Sequence, residues 1–400
     1  MPEHQITKNY KNQRDIMSIS VEFSKIGFII GAGAHVPYGM PVSTELTEQI
    51  KNLNYPRLKI SSVEYTGDQD ERINQKKHIC RIIRDLGLIP KPENAQARNT
   101  HDLLLAKQLD YFLDTFAGSQ VYSIDAFLAK YISEHKKEGD DLLIQIGKVV
   151  LIYFIARNEN KIPIGYHKFD WIQLLINNYL KDRNSRERFF TSPPQIATFN
   201  YDRLFERSIM YHLKHFHGLD DVEAKDFVTK LNIRHIYGDL GPFEQTFNID
   251  DISHIKEAMK RIKVIGEERL PNIENISKEI FNSMKDLKKV YLLGYGFDFQ
   301  NNELLFSKFK KNARTNRYRS REQNIPMFVS TNIKLSEEAC RRIKSDMQEI
   351  HVDLHDYDKH VGKVDSMDLF QTQHPIEQAM EDYSAKIYHT ADESDLDDDY

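Results

Sequence analysis

The stretch Phe28-Ile29-Ile30-Gly31-Ala32-Gly33-Ala34-His35-Val36-Pro37-Tyr38-Gly39-Met40-Pro41 decides how the chain is read. The apolar run Ile26 to Ile30 has the character of a parallel strand buried on both faces, and it ends at Gly31-Ala32-Gly33. Ser43 and Thr44 then open a helical pattern, with Glu45 in the first turn, where the helix dipole favours an acid. A strand running through glycines toward a helix start is either a tight turn or a place where backbone N–H groups approach a phosphate. The second reading predicts a pyrophosphate site at the carboxyl end of a parallel sheet.

The spacing disfavours an ordinary dehydrogenase. The fingerprint asks for a third glycine where Val36 stands, and for an acid at the end of a strand about 20 residues on. Asn52-Leu53-Asn54-Tyr55-Pro56 occupies that region instead, with no apolar strand pattern.

The whole chain bounds the answer further. Its 400 residues suit one large domain with an insertion or two modest ones, and 40% apolar with 11% aromatic residues is globular composition. A net charge of −5 gives no general attraction to nucleic acid or membrane. Cys80 and Cys340 are the only cysteines, so neither a disulfide framework nor a four-cysteine zinc site is available, and a reducing, cytoplasmic compartment is expected. Met1 to Asp15 is polar, so no signal peptide is expected, and no run of about 18 apolar residues predicts a membrane span.

Residues 1–22 read as a polar arm. Residues 23–60 hold the first strand–helix unit, and 61–190 change character, with apolar residues at helical spacing throughout. Lys77 to Leu86 stops at Gly87, and Asp102 to Leu113 and Asp141 to Ala156 are long helical patterns. Ser123-Ile124-Asp125 has the look of a capped helix start, and Phe169 to Leu180 continues the pattern. This predicts a helical insertion between the first and second core strands. Strand patterns return at Gln195–Phe199, Ile233–Tyr237, Lys289–Leu293, Pro326–Ser330 and Glu349–Leu354. Helical stretches at Leu204–His215, Ser277–Leu287, Asn302–Lys310 and Ser336–Met347 alternate with them. The expected fold is therefore α/β, a Rossmann-like, doubly wound, mainly parallel sheet built from 23–60 and 191–360. Residues 361–400 read as a C-terminal helix and an acidic tail, and Lys308 to Arg321 is a basic run. A solvated surface explains the run, and contact with a polyanion such as nucleic acid is its alternative.

Three further segments carry chemistry. Thr198-Phe199-Asn200-Tyr201-Asp202 follows a short strand, which puts Asn200 and Asp202 at the sheet edge where Gly31 and Gly33 lie, although Asp202 is also a plausible helix cap. In Arg234-His235-Ile236-Tyr237-Gly238, His235 and Tyr237 stand two apart and are expected to share a strand face. Leu293-Gly294-Tyr295-Gly296-Phe297-Asp298, followed by Asn301 and Asn302, is a second strand ending at glycines before a helix.

In this order the four segments resemble the sirtuin motifs: the glycine-rich loop with its downstream Gly39-Met40-Pro41, an Asn-x-Asp string, a segment before a glycine, and a late glycine turn. The likeness covers roughly half the chain and is greatest to sirtuin-like, NAD-cleaving domains of bacterial anti-phage defence proteins. It departs from protein deacylases, which carry a four-cysteine zinc module and an Asp-Phe-Arg where Val42, Ser43 and Thr44 stand here. The family's catalytic histidine falls at Tyr237, with His235 two residues earlier.

The resemblance implies NAD as substrate, hydrolysed to nicotinamide and ADP-ribose without a metal. It implies Asn200, His235 and Asp202 as catalytic residues. It places NAD on Gly31, Ala32, Gly33, Pro41, Thr198, Tyr237, Gly294, Gly296 and Asp298. A homo-oligomer or a defence partner protein is expected to control the activity, with a non-catalytic NAD or ADP-ribose sensor, or a nucleic-acid-associated defence subunit using 308–321, as the alternatives.

Overall fold

The computed structural model describes residues 25–54, 71–90, 98–135, 141–165, 167, 170–180, 187, 189, 191–264, 273–316, 326–331, 337–346, 350 and 352–354. The polar arm, the acidic tail, the C-terminal helix and the basic residues Arg317, Arg319 and Arg321 lie outside the described residues.

Among the described residues six strands form one sheet, all pairs parallel: β1 (Ile26–Ile30), β2 (Gln195–Thr198), β3 (Arg234–His235), β4 (Lys289–Leu293), β5 (Met327–Ser330) and β6 (Val352–Leu354). Their spatial order, β3-β2-β1-β4-β5-β6, is that of the doubly wound, Rossmann-like α/β fold. β1 and β4 occupy the centre, and all five residues of each are buried. A central strand covered on both faces is predominantly apolar, and apart from the buried Lys289 that opens β4 these two runs hold no charged residue, which makes them legible at their full length. β3 is shorter than its sequence pattern. Pairing stops at His235, the Gly238 backbone takes φ +84°, and a Cβ there would run into the Arg261 carbonyl.

The first strand does not pass directly into a long helix. Ala32–Tyr38 forms a 3-10 helix containing Pro37, closed by Gly39 at φ +98°, and only then does α1 (Ser43–Lys51) begin. The helices between α1 and β2 include α2 (Glu71–Leu86), α3 (Arg98–Gly118), α4 (Ile124–Glu134), α5 (Asp141–Glu159) and α6 (Trp171–Tyr179). α2, α3 and α5 pack on one another, and α1 packs on α3 and α5. α6 grips the 3-10 helix. The Trp171 indole donates to the Ala34 carbonyl (2.8 Å), and the Tyr38 hydroxyl donates to Asp170 (2.7 Å), the residue that caps α6. The other oxygen of Asp170 lies 2.8 Å from His212 on α7 (Leu204–Phe216).

α8 (Asp221–Lys230) starts with a reciprocal capping box between Asp220 and Glu223 and follows α7; α9 (Ile252–Arg261) follows β3. Neither helix is among the sequence expectations, although Asp220-x-x-Glu223 is a recognisable start signal. α10 (Ile273–Met284) and α11 (Phe299–Asn316) flank β4 in sequence and pack on each other, and α12 (Glu337–Asp346) precedes β6. Among the described residues no helix is long and apolar enough to cross a membrane.

Candidate functional site

A cavity of about 720 Å³ opens at the carboxyl ends of β1, β2 and β4. In this fold the connections diverge to opposite sides between β1 and β4, and that divergence leaves a crevice. The sheet side of the cavity is made by Gly31, Ala32 and Gly33 after β1, Phe199 to Asp202 after β2, Tyr237 after β3, and Gly294 to Gly296 with Asp298 after β4. Pro41 to Thr44 bring the start of α1 to it. The opposite wall comes from the helices between α1 and β2: Tyr122, Ser123 and Asp125 at the start of α4, and Leu151 and Ile155 on α5.

Most of the residues singled out in the sequence thus converge on one space. Thr198 and His235 do not line it. The Thr198 hydroxyl donates to the Ile30 carbonyl (3.1 Å) and accepts the Asn200 N–H (3.0 Å), so it braces the loop from behind. His235 is turned away. Its Nδ1 is 2.8 Å from the Asn200 carbonyl and its Nε2 is 2.7 Å from Glu206 on α7, so neither nitrogen is available to a ligand. Tyr237 lines the cavity and donates to Asn301 (2.6 Å). The expected shared face of His235 and Tyr237 is corrected by the short strand: alternation holds only where pairing continues, and here it ends between them.

The glycines also act differently from a phosphate cradle. The Gly31 N–H donates to Leu293 (2.8 Å) and the Gly33 N–H to Gly294 (3.0 Å). The two glycine turns therefore hold each other. A Cβ at Gly31 would sit 2.6 Å from the Gly294 oxygen, and one at Gly294, where φ is +58°, would collide with the Ala34 nitrogen. Gly296 differs, because a Cβ there meets nothing within 4 Å. It faces open space on the cavity wall. The next residue, Phe297, is held at φ +53°, a conformation that a bulky side chain rarely adopts.

Asn200 and Asp202 are 6% and 5% exposed. The Asn200 side-chain nitrogen donates to the Gly31 carbonyl (3.3 Å) and lies 3.1 Å from His35 Nδ1. That same Nδ1 is 2.9 Å from Asp202. Burial works to raise the Asp202 carboxyl, but the His35 ring, the Leu204 amide and the field of His235 outweigh it and hold the group below the usual carboxylate range. Burial pushes Asp125 up, even though the Tyr201 hydroxyl donates to it, and Asp298 adds to the rise. Asp298 is likewise raised by burial, against the amide bonds of Asn301 at the start of α11.

Sequence reasoning missed His35, Tyr122 and Asp125. His35 sits inside the quoted first stretch, and only its distance to Asn200 in space reveals a role. The capped start at Ser123, whose hydroxyl accepts the Ala126 N–H (3.1 Å), was visible, but its arrival at the cavity was not. Thr47 on α1 fixes that arrival by donating to the Tyr122 carbonyl (3.0 Å). Of the basic run, Lys308 pairs with Glu274 (2.8 Å). Among the described residues no cluster of histidine, cysteine and carboxylate side chains could hold a metal ion.

The fold and site define an α/β protein with a crevice at the switch point of its sheet. No protein-family profile matches the chain, and no curated protein matches it significantly.

Proposed function

We propose that the cavity binds NAD and hydrolyses its N-glycosidic bond, and that the chain is a sirtuin-like, cytoplasmic anti-phage effector controlled by self-assembly or by a partner protein. The observation that carries this reading is the convergence of the Gly31–Gly33 loop, the Asn200-x-Asp202 string and the Gly294–Asp298 turn on one cavity at the switch point between β1 and β4.

The residues present fit the substrate. The start of α1, with Ser43 and Thr44 on the cavity wall, offers their hydroxyls and the positive end of the helix to a pyrophosphate, while the Val42 N–H already donates to Glu45 (3.2 Å). This replaces Gly31 and Gly33, whose N–H groups already serve β4. Gly296 leaves room for close approach, and Asp298 can accept sugar hydroxyls. Tyr122, Phe199, Tyr201, Tyr237 and Tyr295 together with Asp125, Asp202 and Asp298 give an aromatic, acidic lining suited to a pyridinium ring.

In the reaction the bond from the ribose carbon to nicotinamide breaks, its electron pair stays on the departing ring nitrogen, and the ribose carbon becomes cationic. Water adds to that carbon and releases one proton. Carboxylates near the centre stabilise the charge, and a held sugar lowers the entropic cost. Asn200 holds the sugar or the water. Asp125, whose raised carboxyl is a better base when ionised, takes the proton in place of His235.

The second reading, a sensor that binds NAD or ADP-ribose without turnover, is favoured by one observation: the described lining contains no histidine, with Tyr237 standing there and His235 turned away. Incubating the purified protein with NAD across protein concentrations separates the two. Nicotinamide release that rises with assembly and is lost in Asn200→Ala supports the hydrolase. Binding of NAD with no release at any concentration leaves the sensor.

A further inference from the structure

His35 is 1% exposed, and its Nδ1 lies within hydrogen-bond distance of both Asp202 (2.9 Å) and the Asn200 amide nitrogen (3.1 Å). One ring nitrogen cannot satisfy both. Carrying a proton, it donates to the carboxylate; bare, it accepts from the amide. Two observations choose between these states. Asp202 already accepts the Leu204 N–H (3.1 Å) and lies 2.9 Å from Nδ1, and a carboxylate placed as an acceptor there calls for the Nδ1 proton. His35 Nε2 is buried with no hydrogen-bond partner among the described residues, so a proton placed there alone would be stranded as an unpaired buried donor. The ring proton therefore belongs on Nδ1.

That choice fixes Asn200. Its NH2 group cannot donate to a protonated Nδ1, so it is directed to the Gly31 carbonyl, 3.3 Å away. The carbonyl end of the amide is left for the cavity that Asn200 lines.

We propose that His35 is a positioning residue whose Nδ1–H, locked onto Asp202, orients the Asn200 amide so that Oδ1, an acceptor only, faces the ligand. A group oriented in this way receives a hydrogen bond from a sugar hydroxyl or a water, and its negative end faces a developing cation. His35 itself does not line the cavity and acts through Asn200.

The test has a spectral arm and a rate arm, and only the rate arm rests on the NAD reading. Long-range proton–nitrogen spectra of ¹⁵N-histidine-labelled full-length protein, with His35 assigned by its loss in His35→Asn, are expected to show the Nδ1–H tautomer at neutral pH. The Nε2–H tautomer overturns the proposal. For nicotinamide release, His35→Ala is expected to lower kcat about 100-fold with KM little changed. His35→Asn, which puts an amide N–H where Nδ1–H stood, is expected to recover kcat to within about threefold of wild type. His35→Gln, whose amide reaches the Nε2 position instead, should not recover it. An asparagine variant that is folded by its unfolding curve yet as slow as alanine overturns the proposal, as does a glutamine variant that rescues equally. If His35→Ala does not fold, the asparagine–glutamine pair decides. If the wild-type protein releases no nicotinamide, the hydrolase reading fails and the tautomer alone decides the role of His35.

Discussion

Two buried histidine–carboxylate pairs flank Asn200, and they hold different parts of it. His235 uses both ring nitrogens, one on the Asn200 carbonyl and one on Glu206, and so fixes the backbone of the loop. His35 uses only Nδ1, shared between Asp202 and the Asn200 side chain, and leaves Nε2 without a partner among the described residues. A histidine with both nitrogens engaged is a strut. One with a single engaged nitrogen transmits its proton's position to a neighbour. The sequence expectation attached chemistry to His235 because it stands two residues before Tyr237, the position that aligns with the family's histidine; hydrogen-bond geometry attaches it to the loop and gives His35 the side chain.

The contrast is most severely tested by removing what both histidines hold. Asn200→Ala keeps the backbone carbonyl that His235 contacts, so the fold should survive while nicotinamide release falls about 10²- to 10³-fold. Retention of the rate would place the chemistry away from this loop. Next in size is His235→Asn. Asparagine can replace only one of its two bonds, so Glu206 keeps Arg203 but loses the ring, and denaturant unfolding should report a loss of about 2 kcal/mol. A cost no larger than that of His35→Asn would erase the distinction between strut and positioning group.

Thr198→Val removes the third hold on Asn200, its backbone N–H acceptor, and should cost about 1 kcal/mol in the same measurement. The smallest effect expected is a pH dependence. Burial lowers the His235 imidazolium, but Glu206 outweighs it and the folded pKa lies above the ordinary value of about 6.5. Its contribution to stability is therefore complete below the unfolded pKa and is lost as pH rises through the raised folded one. Glu206 is held low by His235 and Arg203 against burial, so its contribution is present above an unfolded pKa of about 4.3 and fades as pH falls through the folded value. Unfolding midpoints followed from acid to alkaline pH should show a decline above neutrality that is absent in His235→Asn. Identical profiles would mean that the pair adds nothing in that range.

Much of the frame could be read in advance. β1 and β4 match their sequence limits because central parallel strands are almost wholly apolar, Lys289 at the start of β4 being the one charged position, and the glycines that end them mark the edge where the crevice opens. The helix ending at Leu86 was legible from Gly87, which takes φ +70°. Edge strands were less legible. β3 pairs over two residues rather than five, since an edge strand gains less from burial and yields to the turn at Gly238. The glycine loop illustrates a different limit. Its residue types suit a phosphate cradle and a backbone–backbone contact equally, and only the arrival of Gly294 shows that the contact uses the Gly31 and Gly33 amides.

By itself, then, the sequence determined the alternation of strand and helix, the central strands and the three segments at their carboxyl ends, because burial and backbone conformation are imposed within a few residues. Tertiary structure decided which side chains meet there. His35 and Asn200 are separated by 165 positions, and Tyr201 and Asp125 by 76. Hydrogen bonds across such separations depend on how helices dock, and docking is set by the whole core rather than by any local pattern.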